Sequence, residues 1–511
     1  MAKTIVPSKE LNDESRERVR RVAELKPGAR IHIAGVCGTG TASVLTLLKA
    51  LGYHVTGSDK AFYPPMGDVV RSEADHVFEG YSAENLRERP DLVVIGNSLS
   101  RNNPEVEYVL EHDIPFASMP EVFAALLIGD RNHCPTSIVI AGTHGKTTTT
   151  SATSVLFDEA GRKPGYFIGG MPNDLPGSIR PVDLAIPVAE RVVVLEGDEY
   201  DSAFFAKYSK FHSYRPDVLV VTSLEFDHAD IYNSIEEIEL EFTRCARRVP
   251  KFGYLVVEDS GERLGPLVER WKSDPEIAAT IVRYGERPSS EFKLLKRTVR
   301  PGEGNIRQSL EMELSGLKIT CETQLSGAQN AYNLLAVAAV GKLLGLTPDQ
   351  IQRGIAKFSG VARRQNVIGD KNGILIIEDF AHHPTAVQLT LEGLKEIYPG
   401  RRLVAVFEPR SNTSRRNFFQ EQYARSFGAA DIAVIQELQD TTVYSNTGAF
   451  VPFSVTKLVE DLKANGVNAV SEPNVERIIA RLKETVAEGD VVVLMSNGDF
   501  GGLPRRLPAS L

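Results

Sequence analysis

Residues 138–150 read IVIAGTHGKTTTT, and this stretch decides the architecture. Ile138, Val139 and Ile140 are a short β-branched run of the kind that forms a buried strand, and after Lys146 the chain has no Gly or Pro until Gly161, as a helix requires. Between them lie Gly142, Thr143, His144 and Gly145. A glycine-rich turn from strand into helix aims backbone N–H groups and the positive end of the helix dipole at an anion. The common phosphate-binding loop places four residues between its glycines and this one places two, so the motif alone leaves an ordinary strand-to-helix turn open. Read as phosphate-binding, the turn puts Lys146 on terminal phosphates and the Thr147 hydroxyl on Mg²⁺, with Thr148 in the same first helical turn.

Two further strands of the same region end in acidic clusters. RVVVLEGDEYD runs over 191–201 and DVLVVTSLEFDHAD over 217–230, which puts Glu196 and His228 just beyond apolar runs. In an open α/β sheet the carboxyl ends of the strands share one crevice, so Glu196, His228 and the loop around Lys146 are expected to converge there. A carboxylate, an imidazole and a loop hydroxyl, joined by phosphate oxygens, suit Mg²⁺.

Towards the N-terminus, IHIAGVCGTGTASVLTLLKALGYHVTGSDK (31–60) reads strand, glycine turn, helix, strand, ending near Asp59. Gly35, Gly38 and Gly40 are spaced G-x-x-G-x-G rather than as the dinucleotide fingerprint, so a pyrophosphate ligand is expected while its identity, dinucleotide or nucleotide-sugar, stays open. DLVVIGNSLS (91–100) ends in a polar cluster holding Asn97 and Ser98. Beyond residue 346, GILIIEDFAHHPTAV, RRLVAVFEPRSNT, AADIAVIQEL and GDVVVLMSNGDFGG are four apolar runs that alternate with helical stretches and mark another α/β unit.

The chain has 511 residues, which suggests three domains. It carries 42% hydrophobic and 24% charged residues and a formal net charge of −9, ordinary for a globular enzyme and without the basic field that nucleic acid would attract. No apolar run is long enough for a membrane span, and the first thirty residues, rich in Glu, Arg and Lys, do not read as a secretory signal. Cys37, Cys134, Cys245 and Cys321 are scattered, which suggests neither a disulfide framework nor a zinc site. A cytoplasmic protein is expected, and nothing in the sequence addresses its oligomeric state.

GTHGKTTTT, EGDEYD, LEFDHAD, NAYN, ARRQ and EDFAHHPTA, in this order and spacing, resemble the Mur ligase family of ATP-dependent enzymes that build the peptide stem of bacterial cell-wall precursors. The resemblance implies an α/β protein: a charged extension over 1–29, a Rossmann-like domain over 30–133, a central P-loop ATPase-type domain over 134–346, and a C-terminal Rossmann-like α/β ligase domain over 347–511. It also implies roles for particular residues. Gly35, Gly38, Gly40, Asp59, Asn97 and Ser98 would face a UDP-sugar. Gly142 to Thr148, with Asn330 and Asn333, would surround ATP. Thr147, Glu196 and His228 would hold Mg²⁺, Arg364 would support the γ-phosphate, and Asp379 would meet the ribose. His382, Arg410, Asn412 and Asn497 would face the incoming amine, together with the turn around Asp499. Within the family, GNSLSRNNPEVEYVL, FEPRSNT and MSNGDFGG are similar to members that join the tripeptide L-alanyl-γ-D-glutamyl-meso-diaminopimelate to UDP-N-acetylmuramate in cell-wall recycling. The alternatives are members that add L-alanine to the same nucleotide-sugar, and a non-catalytic relative. Gly197 stands where Ala is expected, Gln329 where His is, and the residues after Arg364 depart from the family pattern. Some members carry a carbamylated lysine beyond the His228 position; the first lysine here is Lys251, behind the acidic run EEIELE, so no such modification is expected.

Overall fold

The computed structural model describes residues 8–62, 66–129, 135–228, 231–302, 305–411, 413–438 and 451–511. Three sheets organise them. The first has five parallel strands in the order His76–Glu79, His54–Asp59, Arg30–Ala34, Leu92–Ile95, Phe116–Ala117. The chain leaves the central strand Arg30–Ala34 first to one side and then to the other. The carboxyl end of that strand, at Gly35, is thus the point where the topology reverses and ligands bind in such sheets.

The second sheet has ten strands. Thr136–Ala141 lies between Val218–Val221 and Val192–Glu196, parallel to both. These strands are completely buried apart from Thr136, because helices cover both faces, and this is why they read as continuous Val/Ile/Leu runs. Their common direction brings the three following loops, 142–145, 197–200 and 222–228, to one end of the sheet. The 253–325 segment extends the sheet with Tyr254–Glu258 and Thr280–Gly285, then an antiparallel meander of Phe292–Val299, Gln308–Leu314 and Leu317–Thr323.

The third sheet has six strands in the order Asn366–Lys371, Ile374–Asp379, Val491–Met495, Leu403–Phe407, Ile432–Gln436, Asn468–Glu472. All pairs are parallel except the first. The four expected apolar runs form its centre, and the two edge strands are additions. The helix Pro348–Lys357 belongs elsewhere: Ile351, Ile355, Phe358 and Val361 share the core of the second sheet. The third core therefore begins after Val361, later than a boundary at 347.

The charged N-terminal segment is folded. Its helix Asp13–Ala23, capped by the Asn12 side chain, lies against the first domain, where Arg18 makes a 2.8 Å ion pair with buried Glu121. The Arg18 guanidinium also sits 4.7 Å from the ring centre of Phe205, in the middle-domain hairpin Asp201–Ala203/Ala206–Ser209. Ser8 adds a backbone bridge to that hairpin, donating to Phe205 O and accepting from Lys207 N. The segment so ties the first domain to the middle one. Among the described residues, no helix is long and apolar enough to cross a membrane, and Cys37, Cys245 and Cys321 are free thiols.

Candidate active site

The 142–150 loop is shaped by its glycines. Gly142 (φ +130°) and Gly145 (φ +81°) adopt backbone conformations that disfavour other residues, and Gly145 opens the helix Lys146–Glu159. A Cβ on Gly145 would lie 2.4 Å from Asn333 Oδ1, and one on Gly142 would lie 2.4 Å from Thr222 Oγ1, so two neighbouring elements press on the loop. Asn333 donates to Asn330 Oδ1 (3.2 Å), Asn330 donates to Ser326 O (2.8 Å), and Gln329 reaches Asn333 Oδ1 at 3.4 Å. Gln329 thus packs into the asparagine pair.

Thr147 Oγ1 donates to Glu196 Oε1 at 2.9 Å, and Gly169 N donates to Glu196 Oε2 at 2.7 Å. Burial raises the Glu196 carboxyl pKa in spite of these bonds. A buried carboxylate beside a threonine hydroxyl at a helix N-terminus is an oxygen pair that a hard cation would complete, so Thr147 and Glu196 fit Mg²⁺. His228 faces a different carboxylate. Its Nε2 lies 3.3 Å from Glu199 Oε1, and Lys146 Nζ lies 2.9 Å from Glu199 Oε2. Asp198, Glu199 and His228 can bring one ligand atom each within 4.8 Å of one another, and Glu196 is not in that group. The convergence expected of Glu196 and His228 is therefore split: the first meets Thr147, the second Glu199.

Burial pulls the Lys146 ammonium down, and Glu199 and Asp198 more than reverse it, so its pKa is raised. Burial opposes charge on His228 too, yet Glu199 and Asp227 raise its pKa. His228 has φ +55°, a left-handed backbone that is uncommon for a non-glycine residue and recurs at functional sites. Gly197 has a packing reason: a Cβ there would come within 2.8 Å of Val139 Cγ1.

The third domain meets this end of the sheet. Arg364 is flanked by Arg363 (φ +63°) and Gln365 (φ +49°), a strained turn that the buried Asp379 holds by accepting from Gln365 N (2.8 Å) and Ala381 N (2.7 Å). The Arg364 guanidinium lies over Phe380, 4.8 Å from the ring centre, and is within electrostatic reach of Glu196. It has no ion-pair partner among the described residues. His382 is held by a 3.0 Å contact from Nδ1 to Phe380 O, and burial lowers its pKa. Donation from Nδ1 leaves Nε2 as an acceptor on a neutral ring.

Sequence reasoning missed a second cluster that joins the domains. Glu225 Oε2 lies 3.5 Å from His144 Nε2 and 3.8 Å from His383 Nδ1, and it accepts from Thr385 Oγ1 at 2.7 Å. Thr413 Oγ1 donates to Asp227 Oδ1 at 3.1 Å. The signal was present in LEFDHAD, where alternate acidic residues face different partners. Arg410 pairs with Asp499 at 3.0 Å, and Asn497 Oδ1 is buried without a hydrogen-bond partner, while Asn412 lies outside the described residues. In the first domain Asp59 Oδ2 accepts from Cys37 N (2.8 Å) and so fixes the glycine turn. Gly35, Gly38 and Gly40 lie at that turn and at the start of the helix Thr39–Ala50, beside exposed Asn97 and Ser98. Lys251 is exposed, beyond the far end of the helix Ile235–Ala246.

A phosphate loop facing a third domain that delivers an arginine and paired histidines defines a nucleotide-using enzyme built from three α/β units. The chain belongs to the Mur ligase family, whose members are ATP-dependent amide-forming ligases: it matches the Mur ligase family catalytic domain over 30–131, the Mur ligase middle domain over 140–341 and the glutamate ligase domain over 363–498. It is 34% identical to the UDP-N-acetylmuramate–L-alanyl-γ-D-glutamyl-meso-2,6-diaminoheptandioate ligase of Escherichia coli K12, over 94% of this chain and 97% of that one. It is 32% identical to the UDP-N-acetylmuramate–L-alanine ligase of Oleidesulfovibrio alaskensis, over 92% and 96%. The crystal structure of a murein peptide ligase from Psychrobacter arcticus 273-4 is similar at 30% identity and a TM-score of 0.69, covering 94% of this chain and 98% of that one.

Proposed function

We propose that this enzyme joins the tripeptide L-alanyl-γ-D-glutamyl-meso-diaminopimelate to the lactyl carboxylate of UDP-N-acetylmuramate at the expense of ATP, in cell-wall recycling. The carrying observation is the full-length similarity to the E. coli tripeptide ligase, set on a site that retains Lys146, Thr147, Glu196, His228 and Arg364. The nucleotide-sugar takes the first domain, at Gly35, Gly38, Gly40, Asp59, Asn97 and Ser98. ATP takes the loop Gly142–Thr148, with Asn330 and Asn333 beside it; Asp379, expected at the ribose, is buried and bonded to Gln365 N and Ala381 N, and so would act there through the turn it holds.

A carboxylate is a poor electrophile at neutral pH, so it must first be activated. Its oxygen attacks the γ-phosphorus, ADP leaves, and an acyl phosphate forms. Lys146 and Arg364 approach the transferred group from two domains and neutralise the charge that spreads over its oxygens. Thr147 and Glu196 would hold Mg²⁺, which would supply further positive charge to the phosphates, and His228 would join them only by leaving Glu199. The peptide amine then attacks the acyl carbon, inorganic phosphate departs, and the amine sheds a proton. His382, kept neutral by burial and with Nδ1 on Phe380 O, would take it on Nε2. Arg410 and Asn497 lie at neighbouring strand ends, where the orphaned Asn497 Oδ1 is ready for a donor on the acceptor.

The activation step is tested by labelling the carboxylate of UDP-N-acetylmuramate with oxygen-18. An acyl phosphate requires one labelled oxygen in each inorganic phosphate released. Unlabelled phosphate overturns the mechanism.

A further inference from the structure

Between the middle domain and the third-domain segment Asn417–Phe419 lies a cleft of about 500 Å³ that the mechanism does not use. Leu224, Phe226 and Ile235 wall it from one domain and Phe418 from the other. The rings of Phe226 and Phe418 stand edge-on, 6.3 Å between centres, and Phe418 is 50% exposed at the mouth. Glu225, on the same wall, lies 3.5 Å from His144 Nε2, so the cleft adjoins the 142–145 loop. Three charged groups line it, Arg263, Glu236 and Glu225. Arg263 and Glu236 attract one another electrostatically, yet among the described residues neither is part of an ion pair within 4.0 Å. The remaining carboxylate on the wall, Glu225, is committed to Thr385.

We propose that this cleft binds the far end of the peptide acceptor, with Arg263 receiving the carboxylate and Glu236 the ammonium of its third residue. The inference rests on the tripeptide-ligase reading and adds the residues that select the third position. Diaminopimelate ends in an amino-acid head on a methylene stem. The apolar walls match the stem, and a guanidinium and a carboxylate that line one cleft without an ion-pair partner among the described residues match the two charges of the head, Glu236 keeping its bond to Ser234. Lysine in the same place offers the ammonium and no carboxylate, and a dipeptide offers neither. Because Phe418 comes from the third domain, the cleft is complete only when that domain sits on the middle one, which couples recognition of the distal residue to assembly of the site.

The test compares three acceptors, L-alanyl-γ-D-glutamyl-meso-diaminopimelate, L-alanyl-γ-D-glutamyl-L-lysine and L-alanyl-γ-D-glutamate, in the wild type, Arg263→Ala and Glu236→Gln. Both residues are exposed, and equal thermal midpoints verify that the variants are folded. Arg263→Ala lowers kcat/KM for the diaminopimelate tripeptide by about 10- to 100-fold, mainly through KM, as expected for loss of a hydrogen bond to a charged group. It leaves the lysine tripeptide and the dipeptide unchanged. Glu236→Gln lowers both tripeptides and spares the dipeptide. If Arg263→Ala treats all three acceptors alike while the wild type uses the diaminopimelate tripeptide well, the inference falls and the function stands. A wild type that uses none of the three while it does use L-alanine, added as a fourth acceptor, overturns both.

Discussion

On the proposed mechanism, the chemistry turns on Lys146. Its ammonium is enclosed by Gly142 O at 2.6 Å and Glu199 at 2.9 Å, which keep it charged in a buried place. Lys146→Ala removes the middle domain's cation from the terminal phosphates and leaves the first domain untouched. The expected loss is about 2.7–4 kcal/mol of transition-state stabilisation, roughly 10²- to 10³-fold in kcat, with UDP-N-acetylmuramate binding by calorimetry unchanged; near-wild-type phosphate release contradicts the role. At this scale much of the site was legible. Gly142 and Gly145 are required by backbone geometry, and Thr147 follows from its place after Lys146 in the glycine-loop motif. The division of labour between Glu196 and Glu199 was not legible. EGDEYD offers four carboxylates, and the way the chain leaves the strand Val192–Glu196 decides which of them turns to the helix and which to Lys146.

At the scale of elements, the helix Pro384–Ile397 carries the contact between domains. Its N-cap is His383, whose Nδ1 accepts from Thr385 N at 3.3 Å. Burial and the facing His144 hold the His383 pKa below its ordinary 6.5, against the pull of Asp227 and Glu225, which also face it, with His382 adding to the depression. A ring kept neutral when folded and free to protonate when unfolded stabilises the fold fully above pH 6.5, and that contribution is lost as pH falls below 6.5 towards the depressed folded value. His383→Asn keeps a capping oxygen and removes the titration. The variant should show a flatter dependence of thermal midpoint on pH below 6.5 than the wild type; identical slopes contradict the assignment. Most elements were readable because buried parallel strands are unbroken apolar runs. The two edge strands of the third sheet were not: Asn366–Lys371 exposes Val367 and holds Gly369 and Asp370, and Asn468–Glu472 has two apolar residues. Neither pattern separates an edge strand from a loop.

At the scale of the molecule, the reaction needs three domains in register. The N-terminal segment links the first to the hairpin that follows Glu199, through Arg18, Ser8 and Ser15, whose hydroxyl accepts from Tyr208 Oη at 2.9 Å. Its charge composition concealed this, because Arg18 buries its stem against aromatic rings while pairing with Glu121, and only Val22 reads as core. The third domain closes the other side with Arg364, Thr385 and Thr413. The helix Pro348–Lys357 packs in the middle domain, so the chain crosses into the third domain between Val361 and Asn366, at the strained turn around Arg363–Gln365. Such an assembly gives binding energy from a long acceptor a route to the reacting atoms, and a free amino acid cannot use it. The direct test is competition. Purified enzyme with ATP, Mg²⁺ and UDP-N-acetylmuramate is offered L-alanine and L-alanyl-γ-D-glutamyl-meso-diaminopimelate at equal concentration, and the products are resolved by mass. The account predicts the tripeptide adduct almost alone; L-alanine incorporated as readily as the tripeptide contradicts it and makes the protein an L-alanine ligase.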